Sequence, residues 1–242
     1  MVESPRVEEF HVDVGYSTTI IERPRSERWA VFIGPDPPRK RGGAAFPIEG
    51  NRWLVNLHGI HGDHPPTDPE GLESFAASLP IPHIKDLLSA HEWVSEDIEY
   101  YPFPSHQRYY YEELDEFPDG LVVTGDAIAS FNPIFGQGMS VAALEALQLH
   151  HSLADRPRST VALQFFERAE TAVDPAWMIA TGSDLQFDET EGPKPRGTDI
   201  VNWYLSRLTK KAHSNPELAE AFARVILMEK PPTSLFRPKI AV

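Results

Sequence analysis

The sequence predicts an α+β fold, with a mixed β-sheet in the first half of the chain and helices in the second. Three observations carry this. Short, turn-bounded runs rich in β-branched and aromatic residues occupy the stretch up to residue 118. Leu121-Val122-Val123-Thr124, four apolar or β-branched residues after the turn Phe117-Pro118-Asp119-Gly120, reads as a buried strand covered on both faces. From Gly138 onward apolar residues recur at helical spacing.

Taken in order, Phe10 to Ile21 and Arg28 to Ile33 read as two strands separated by Arg23-Pro24-Arg25. Ala44 to Ile48 and Arg52 to Leu57 read as a hairpin, with Glu49-Gly50-Asn51 at its turn. Thr67-Asp68-Pro69-Glu70 has the form of a capping box ahead of Leu72, Phe75, Ala76 and Leu79, the apolar stripe of a short helix. A second helix, His83 to His91, follows Pro82, and strand character returns through Ile98 to Phe103 and Gln107 to Tyr111. Beyond the buried strand, Gly138 to Leu153, Thr160 to Ala172, Ala176 to Leu185, Asp199 to His213 and Pro216 to Met228 read as helices. The chain thus divides into a mixed-sheet region (1–118), a strand, loop and helix (119–155) and a helical region (156–242).

Composition narrows the function. With 22 Lys and Arg against 36 Asp and Glu, the formal charge of −14 repels a phosphate backbone, so nucleic acid is an unfavourable partner. The absence of cysteine excludes disulfides, thiolate zinc sites, cysteine nucleophiles and redox dithiols. No run approaches a membrane span, and Met1 to Arg6 lacks the basic and apolar regions of a signal peptide, so the expected location is cytoplasmic. No Gly-x-Ser-x-Gly elbow, His-Glu-x-x-His or P-loop occurs.

The chemistry concentrates in Gly125-Asp126-Ala127-Ile128-Ala129-Ser130-Phe131-Asn132-Pro133-Ile134-Phe135-Gly136-Gln137-Gly138-Met139-Ser140, between the buried strand and the first apolar helix. A carboxylate directly after a strand and beside a glycine, as Asp126 is, suits the hydroxyls of a sugar or polyol. Gly136-Gln137-Gly138 opens a helix whose first N–H groups lack intrahelical partners, so an anionic or electron-rich ring edge is the natural guest. The alternative is a strand-loop-helix turn that needs its glycines for geometry alone.

These residues resemble a family, the class A FAD-dependent monooxygenases (aromatic hydroxylases and squalene-epoxidase-like oxidoreductases), with their Gly-Asp-Ala-x-His-x-x-x-Pro-x-x-Gly-x-Gly segment. The resemblance covers most of residues 8 to 155 and is most specific over 121 to 146. It implies an FAD/NAD(P)-binding monooxygenase-like fold in which Gly125 and Asp126 hold the ribityl chain of FAD and Pro133 lines the isoalloxazine ring. Gly136, Gln137, Gly138 and Met139 would meet its pyrimidine edge. It further implies NAD(P)H as electron donor, a small apolar or aromatic substrate held by the sheet region, and hydroxylation or epoxidation as the reaction.

The sequence departs from the family at Ala129, where His is frequent, at Ser140 in place of Asn, and at Glu145 in place of Asp. It also contains no Gly-x-Gly-x-x-Gly at a strand-to-helix turn, the seat of the ADP half of FAD. The expectation is a partial form lacking the N-terminal Rossmann unit, with a second chain as a candidate source of it. Two other readings stand beside this one: a non-catalytic remnant or partner-completed subunit that binds an apolar ligand, and a prenyl-chain reductase of the same fold. No side chain emerges as a general acid or base.

Other clusters carry blander readings. His58, His61, Asp63 and His64 have the ligand types of a metal site, but without a distal ligand pair they read as a polar loop. His150 and His151 read as residues of a helix's last turn, favoured by its dipole. Tyr109, Tyr110 and Tyr111 either line an aromatic pocket or pack on the sheet, and packing is preferred. Arg39-Lys40-Arg41 suits an acidic ligand or an NAD(P)H phosphate, with a solvated loop as the preferred reading.

Overall fold

The computed structural model describes residues 4–155 and 161–237, and the chain forms two units. One comprises His11–Ser105; the other joins the residues up to Phe10 to those from His106 onward. Met1, at the start of the predicted chain, and Thr160, at the start of a predicted helix, lie outside the described residues.

In the His11–Ser105 unit, strands β1 (Arg6–Glu22), β2 (Val31–Ile33), β3 (Arg41–Ile48) and β4 (Arg52–Gly59) lie in the order β2-β3-β4-β1. All three pairings are antiparallel. The predicted hairpin is present: Ile48 faces Arg52, and the turn between them places Gly50 at φ 74 and Asn51 at φ 54, the left-handed region that Gly and Asn tolerate best. The strand expected from Arg28 is shorter, beginning at Val31. Helices α1 (Pro69–Ala77) and α2 (His83–Ala90) pack Leu72, Phe75, Ile84, Leu87 and Leu88 against Ile21, Trp53, Val55 and Leu57. The N-cap of α1 is Asp68 rather than Thr67, its carboxylate accepting from the Gly71 N–H at 2.8 Å. Asp-Pro-Glu-Gly caps one residue later than the capping-box spacing suggested, because Pro69 takes the first helical position.

The two strands expected between Ile98 and Tyr111 are one, β5 (Glu99–Tyr110). In the second unit its end pairs Gln107 and Arg108 with the short β6 (Ala129–Ser130). The helices are α3 (Gly138–Asp155), α4 (Val161–Asp184), α5 (Thr198–Ala212) and α6 (Pro216–Ile226). The core gathers Phe10, Ile128, Phe131, Phe165, Phe166, Val173 and Trp177. Leu208, Val225 and Leu235 form a smaller cluster among the last helices.

Three expectations are corrected here. Leu121-Val122-Val123-Thr124 is not a strand: no ladder forms there, Leu121 and Thr124 are exposed, and only Val122 and Val123 pack on the core. An apolar run becomes a strand only when a neighbour satisfies its backbone. The two helices expected between residues 160 and 185 are one, running through Pro175. Ala172, Val173, Ala176 and Trp177 are buried on both sides of that proline, so packing outweighs the lost hydrogen bond. His150 and His151 precede the last turn of α3, which continues to Asp155; their rings lie 5.7 Å apart.

Candidate functional site

The loop from Thr124 to Gln137 is held from two sides. Thr124 is extended, and Gly125 at φ 67 starts a single 3₁₀ turn closed by the Ile128 N–H on the Gly125 carbonyl at 2.8 Å. Glu145, fully buried on α3, reaches back: its Oε2 accepts from the Gly125 N–H at 2.6 Å and from the Thr124 hydroxyl at 2.7 Å. Burial pushes the Glu145 carboxyl above its ordinary range, and nearby Asp126 adds to the rise.

The second hold is a buried network. Asp184, at the end of α4, accepts at Oδ2 from His106 Nε2 at 2.8 Å and from Asn132 Nδ2 at 3.0 Å. The Asn132 backbone N–H donates to His106 Nδ1 at 3.2 Å, so the imidazole carries its hydrogen on Nε2. Asn132 Oδ1 accepts from the Ile134 N–H and caps the turn Pro133–Phe135, which Gly136 ends in the left-handed region at φ 66. Gln137 is buried and donates from Nε2 to the Ile226 carbonyl at 3.0 Å, so its side chain is committed within the protein.

Between these anchors the expected site residues sit along one loop. Asp126, Pro133, Gly136 and Met139 are exposed, Met139 to 89%. A Cβ built on Gly125, Gly136 or Gly138 would meet no atom within 4 Å, which leaves open space where a planar ligand could approach. The N–H groups of Gly138, Met139 and Ser140 precede the first α3 bond, Val141 N–H to Gln137 carbonyl. Of the departures noted in the sequence, Ala129 is buried in the pairing with Arg108, Ser140 is exposed, and Glu145 anchors the loop.

The His106–Asn132–Asp184 network has no signature in the sequence. His106 sits alone in a strand and Asp184 lies 78 residues away, with no motif linking them. Glu145 was visible only as a departure.

The other clusters are structural. The Arg41 guanidinium grips Asp63 in two parallel bonds of 2.8 Å and holds that carboxyl below the usual carboxylate range. Arg39 donates to the Gly34 and Arg41 carbonyls, so Arg39 and Arg41 brace the start of β3 and do not form the solvated loop expected of them. His64 Nε2 lies 3.1 Å from an Asp13 carboxylate oxygen, and its Nδ1 lies 3.0 Å from the Tyr100 hydroxyl. His58 is buried near the rings of Tyr16 and Phe32, and burial pulls it down to about 4. Tyr110 donates to Glu8 at 2.6 Å beneath the Arg6 guanidinium, its hydroxyl pushed up to about 12 chiefly by burial. Tyr111 stacks on Phe166, with Tyr109 beside it. Packing, the preferred reading, describes all three tyrosines.

No family model matches the chain. Protein Rv3254 of Mycobacterium tuberculosis is 28% identical over 198 residues, which are 80% of this chain and 42% of that protein. The chain therefore spans less than half the length of that relative. Solved structures resemble it at low identity. A flavoprotein/dehydrogenase from Cytophaga hutchinsonii superposes with a TM-score of 0.54 at 18% identity, covering 70% of this chain and 42% of that one. HpxO of Klebsiella pneumoniae, solved with FAD and uric acid, gives 0.51 at 15% identity, over 98% of this chain and 56% of that one. A tetrameric 2-methyl-3-hydroxypyridine-5-carboxylic acid oxygenase gives 0.52 at 16%, over 75% and 49%. The chain shares the fold of the matched portions of these solved flavin-dependent proteins. Among the described residues no helix is long and apolar enough to cross a membrane.

Proposed function

We propose that this chain supplies the ribityl and isoalloxazine seat of an FAD-dependent oxidoreductase of the monooxygenase kind, acting on a small apolar or aromatic substrate. The observation that carries the reading is the anchored loop with open glycines at Gly125, Gly136 and Gly138, flanked by the exposed Asp126 and Pro133. The Asp126 carboxylate accepts hydrogen bonds from ribityl hydroxyls. The Pro133 ring offers an apolar edge to a flat heterocycle. The outward N–H groups of Gly138, Met139 and Ser140, at the positive end of α3, favour negative charge on the edge that faces them. When bound, the flavin supplies two-electron redox chemistry and the activation of oxygen, with NAD(P)H as donor. The chain's own part is to bind, orient and exclude water. A dinucleotide-binding unit supplied by another segment or a second chain would seat the ADP half, since the sequence has no Gly-x-Gly-x-x-Gly.

Titration with FAD and, in parallel, FMN, followed by flavin absorbance and fluorescence, tests this. Saturable binding weakened about tenfold or more by Asp126→Ala supports it. Absence of saturable binding overturns the seat in this chain alone.

One observation favours a second reading, a partner-completed subunit. Met139, Ala143, Ala146, Leu147 and Leu153 leave apolar surface exposed on α3, interrupted by His150, while Val141, Glu145 and Ser152 are buried. Exposed apolar surface of this kind marks a face that another element covers. A monodisperse monomer that binds no hydrophobic dye would count against it.

A further inference from the structure

Apart from the flavin loop, the His11–Ser105 unit holds a cleft of about 510 Å³ lined by Arg23, Arg25, Arg28, Pro47 and Asn51. Three arginines line it in a chain whose formal charge is −14. Among the described residues none of the three forms an ion pair with a carboxylate. Glu27, the acidic residue within the same segment, has its carboxylate 4.0 Å from His91 Nε2. Like charges gathered without counter-charge repel, so their convergence on one cleft asks for an anion.

The cleft is also built on a rigid frame. The Arg23 N–H donates to the Asn51 carbonyl at 2.8 Å, tying the segment to the β3–β4 turn, and Glu27 N–H closes a turn on the Pro24 carbonyl at 3.0 Å. Pro24 stands between Arg23 and Arg25 and limits their spread. The Arg23 guanidinium lies 5.7 Å from the ring centroid of the fully buried Trp53 and donates from Nη1 to the Glu27 carbonyl, which fixes it at the floor of the cleft and leaves its second terminal nitrogen for a ligand. The Asn51 side chain adds a neutral donor and Pro47 an apolar wall. A single carboxylate engages one guanidinium fork; the forks of Arg25 and Arg28, with the remaining terminal nitrogen of Arg23, suit two linked phosphates.

We propose that this cleft binds a diphosphate-bearing small molecule, its pyrophosphate group held among Arg23, Arg25 and Arg28. Arg25 and Arg28 are uncommitted among the described residues, whereas Arg39 and Arg41 brace the start of β3.

Calorimetric titration of the 242-residue chain with inorganic pyrophosphate, ADP and orthophosphate, at low and at physiological salt, tests it. The expected result is one saturable site for pyrophosphate and ADP, weakened by salt, with orthophosphate about tenfold weaker or more. Trp53, beneath Arg23, should report the same binding as a change in tryptophan fluorescence. The double variant Arg25→Gln/Arg28→Gln, both at exposed positions, should melt as the wild type does and lose about tenfold or more in affinity. Equal affinity for pyrophosphate and ADP assigns the recognised chemistry to the diphosphate alone, and tighter ADP extends it to a nucleotide. No saturation by either at millimolar concentration, or unchanged binding by the double variant, overturns the proposal.

Discussion

The Gly125 backbone N–H and Glu145 Oε2 are joined by a hydrogen bond of 2.6 Å across 20 residues of chain, so α3 carries the carboxylate that shapes the loop ahead of it. The same oxygen accepts from the Thr124 hydroxyl, while Oε1 is buried without a donor. A carboxylate so placed does two things: it satisfies a backbone group that would be orphaned, and it sets a buried charge beside Asp126.

A pH dependence follows. The folded-state pKa of Glu145 is raised by burial, so the folded state holds its proton more tightly than the unfolded chain does. The resulting contribution is fully present below the unfolded value of about 4.3 and is lost as pH rises through the raised one. Glu145→Gln keeps an acceptor for Gly125 and Thr124 while removing the charge. It should therefore gain relative to wild type as pH rises from acid to neutral, whereas Glu145→Ala should cost about 1–3 kcal/mol at acid pH, a cost that shrinks as pH rises. Urea unfolding midpoints across that range provide the check, and a difference between Gln and wild type that does not vary with pH would sink the assignment.

The His106–Asp184 bond should be worth more than a surface contact. His106→Phe fills the imidazole's space but takes the Nε2 donor from a buried carboxylate, at an expected cost of about 2 kcal/mol or more. Because Asn132 bonds both partners, His106→Phe and Asn132→Ala should be non-additive by about 0.5 kcal/mol or more in a double-mutant cycle. Strict additivity would mean that the three side chains do not act as one unit.

What the sequence disclosed follows the range of the interactions involved. The β3–β4 hairpin was legible because a Gly-Asn turn and two alternating runs are local. Gly125, Asp126 and Gly136 fall on one loop because their spacing is local. The run Leu121 to Thr124 misled because strand formation depends on a pairing partner, which composition does not encode. Pro175 misled in the opposite sense, since the burial of Val173 and Trp177 on either side of it is a tertiary fact. His106 was invisible for the same reason: its meaning lies in Asn132 and Asp184, brought to it only by folding.

Arg41 and Asp63 should separate charge from packing. The Asp63 pKa is depressed in the folded state, chiefly by its hydrogen bonds from Arg41, so its stabilising contribution is present above the unfolded value of about 3.9 and lost as pH falls through the folded one. The pair is about one-third exposed, at 36% and 34%, and Asp63→Asn should cost only about 0.2–1 kcal/mol at neutral pH. Arg41→Ala should cost more, because the guanidinium also lies 4.5 Å from the Phe75 ring centroid and donates to the Ser78 hydroxyl at 3.1 Å. Equal losses for the two variants at neutral pH would show that the packing of Arg41 contributes nothing.

The core packed against the Thr124–Gln137 loop makes the last prediction. Phe165 is fully buried in α4, its ring 5.6 Å from that of Phe166, which stacks in turn on Tyr111. Phe165→Ala removes a large apolar volume from a cluster that includes Ile128 and Phe131 on the loop itself, so the cavity should cost about 3–5 kcal/mol. Ile200, 72% exposed on α5, gives the matched control: Ile200→Ala should stay within about 0.5 kcal/mol. Because Ile128 and Phe131 bracket the stretch between Asp126 and Pro133, the Phe165 variant should also weaken FAD binding while the control does not. If flavin affinity were unchanged in a protein destabilised by that amount, the loop would be held by Glu145 and Asp184 alone, and the core would serve stability without shaping the site.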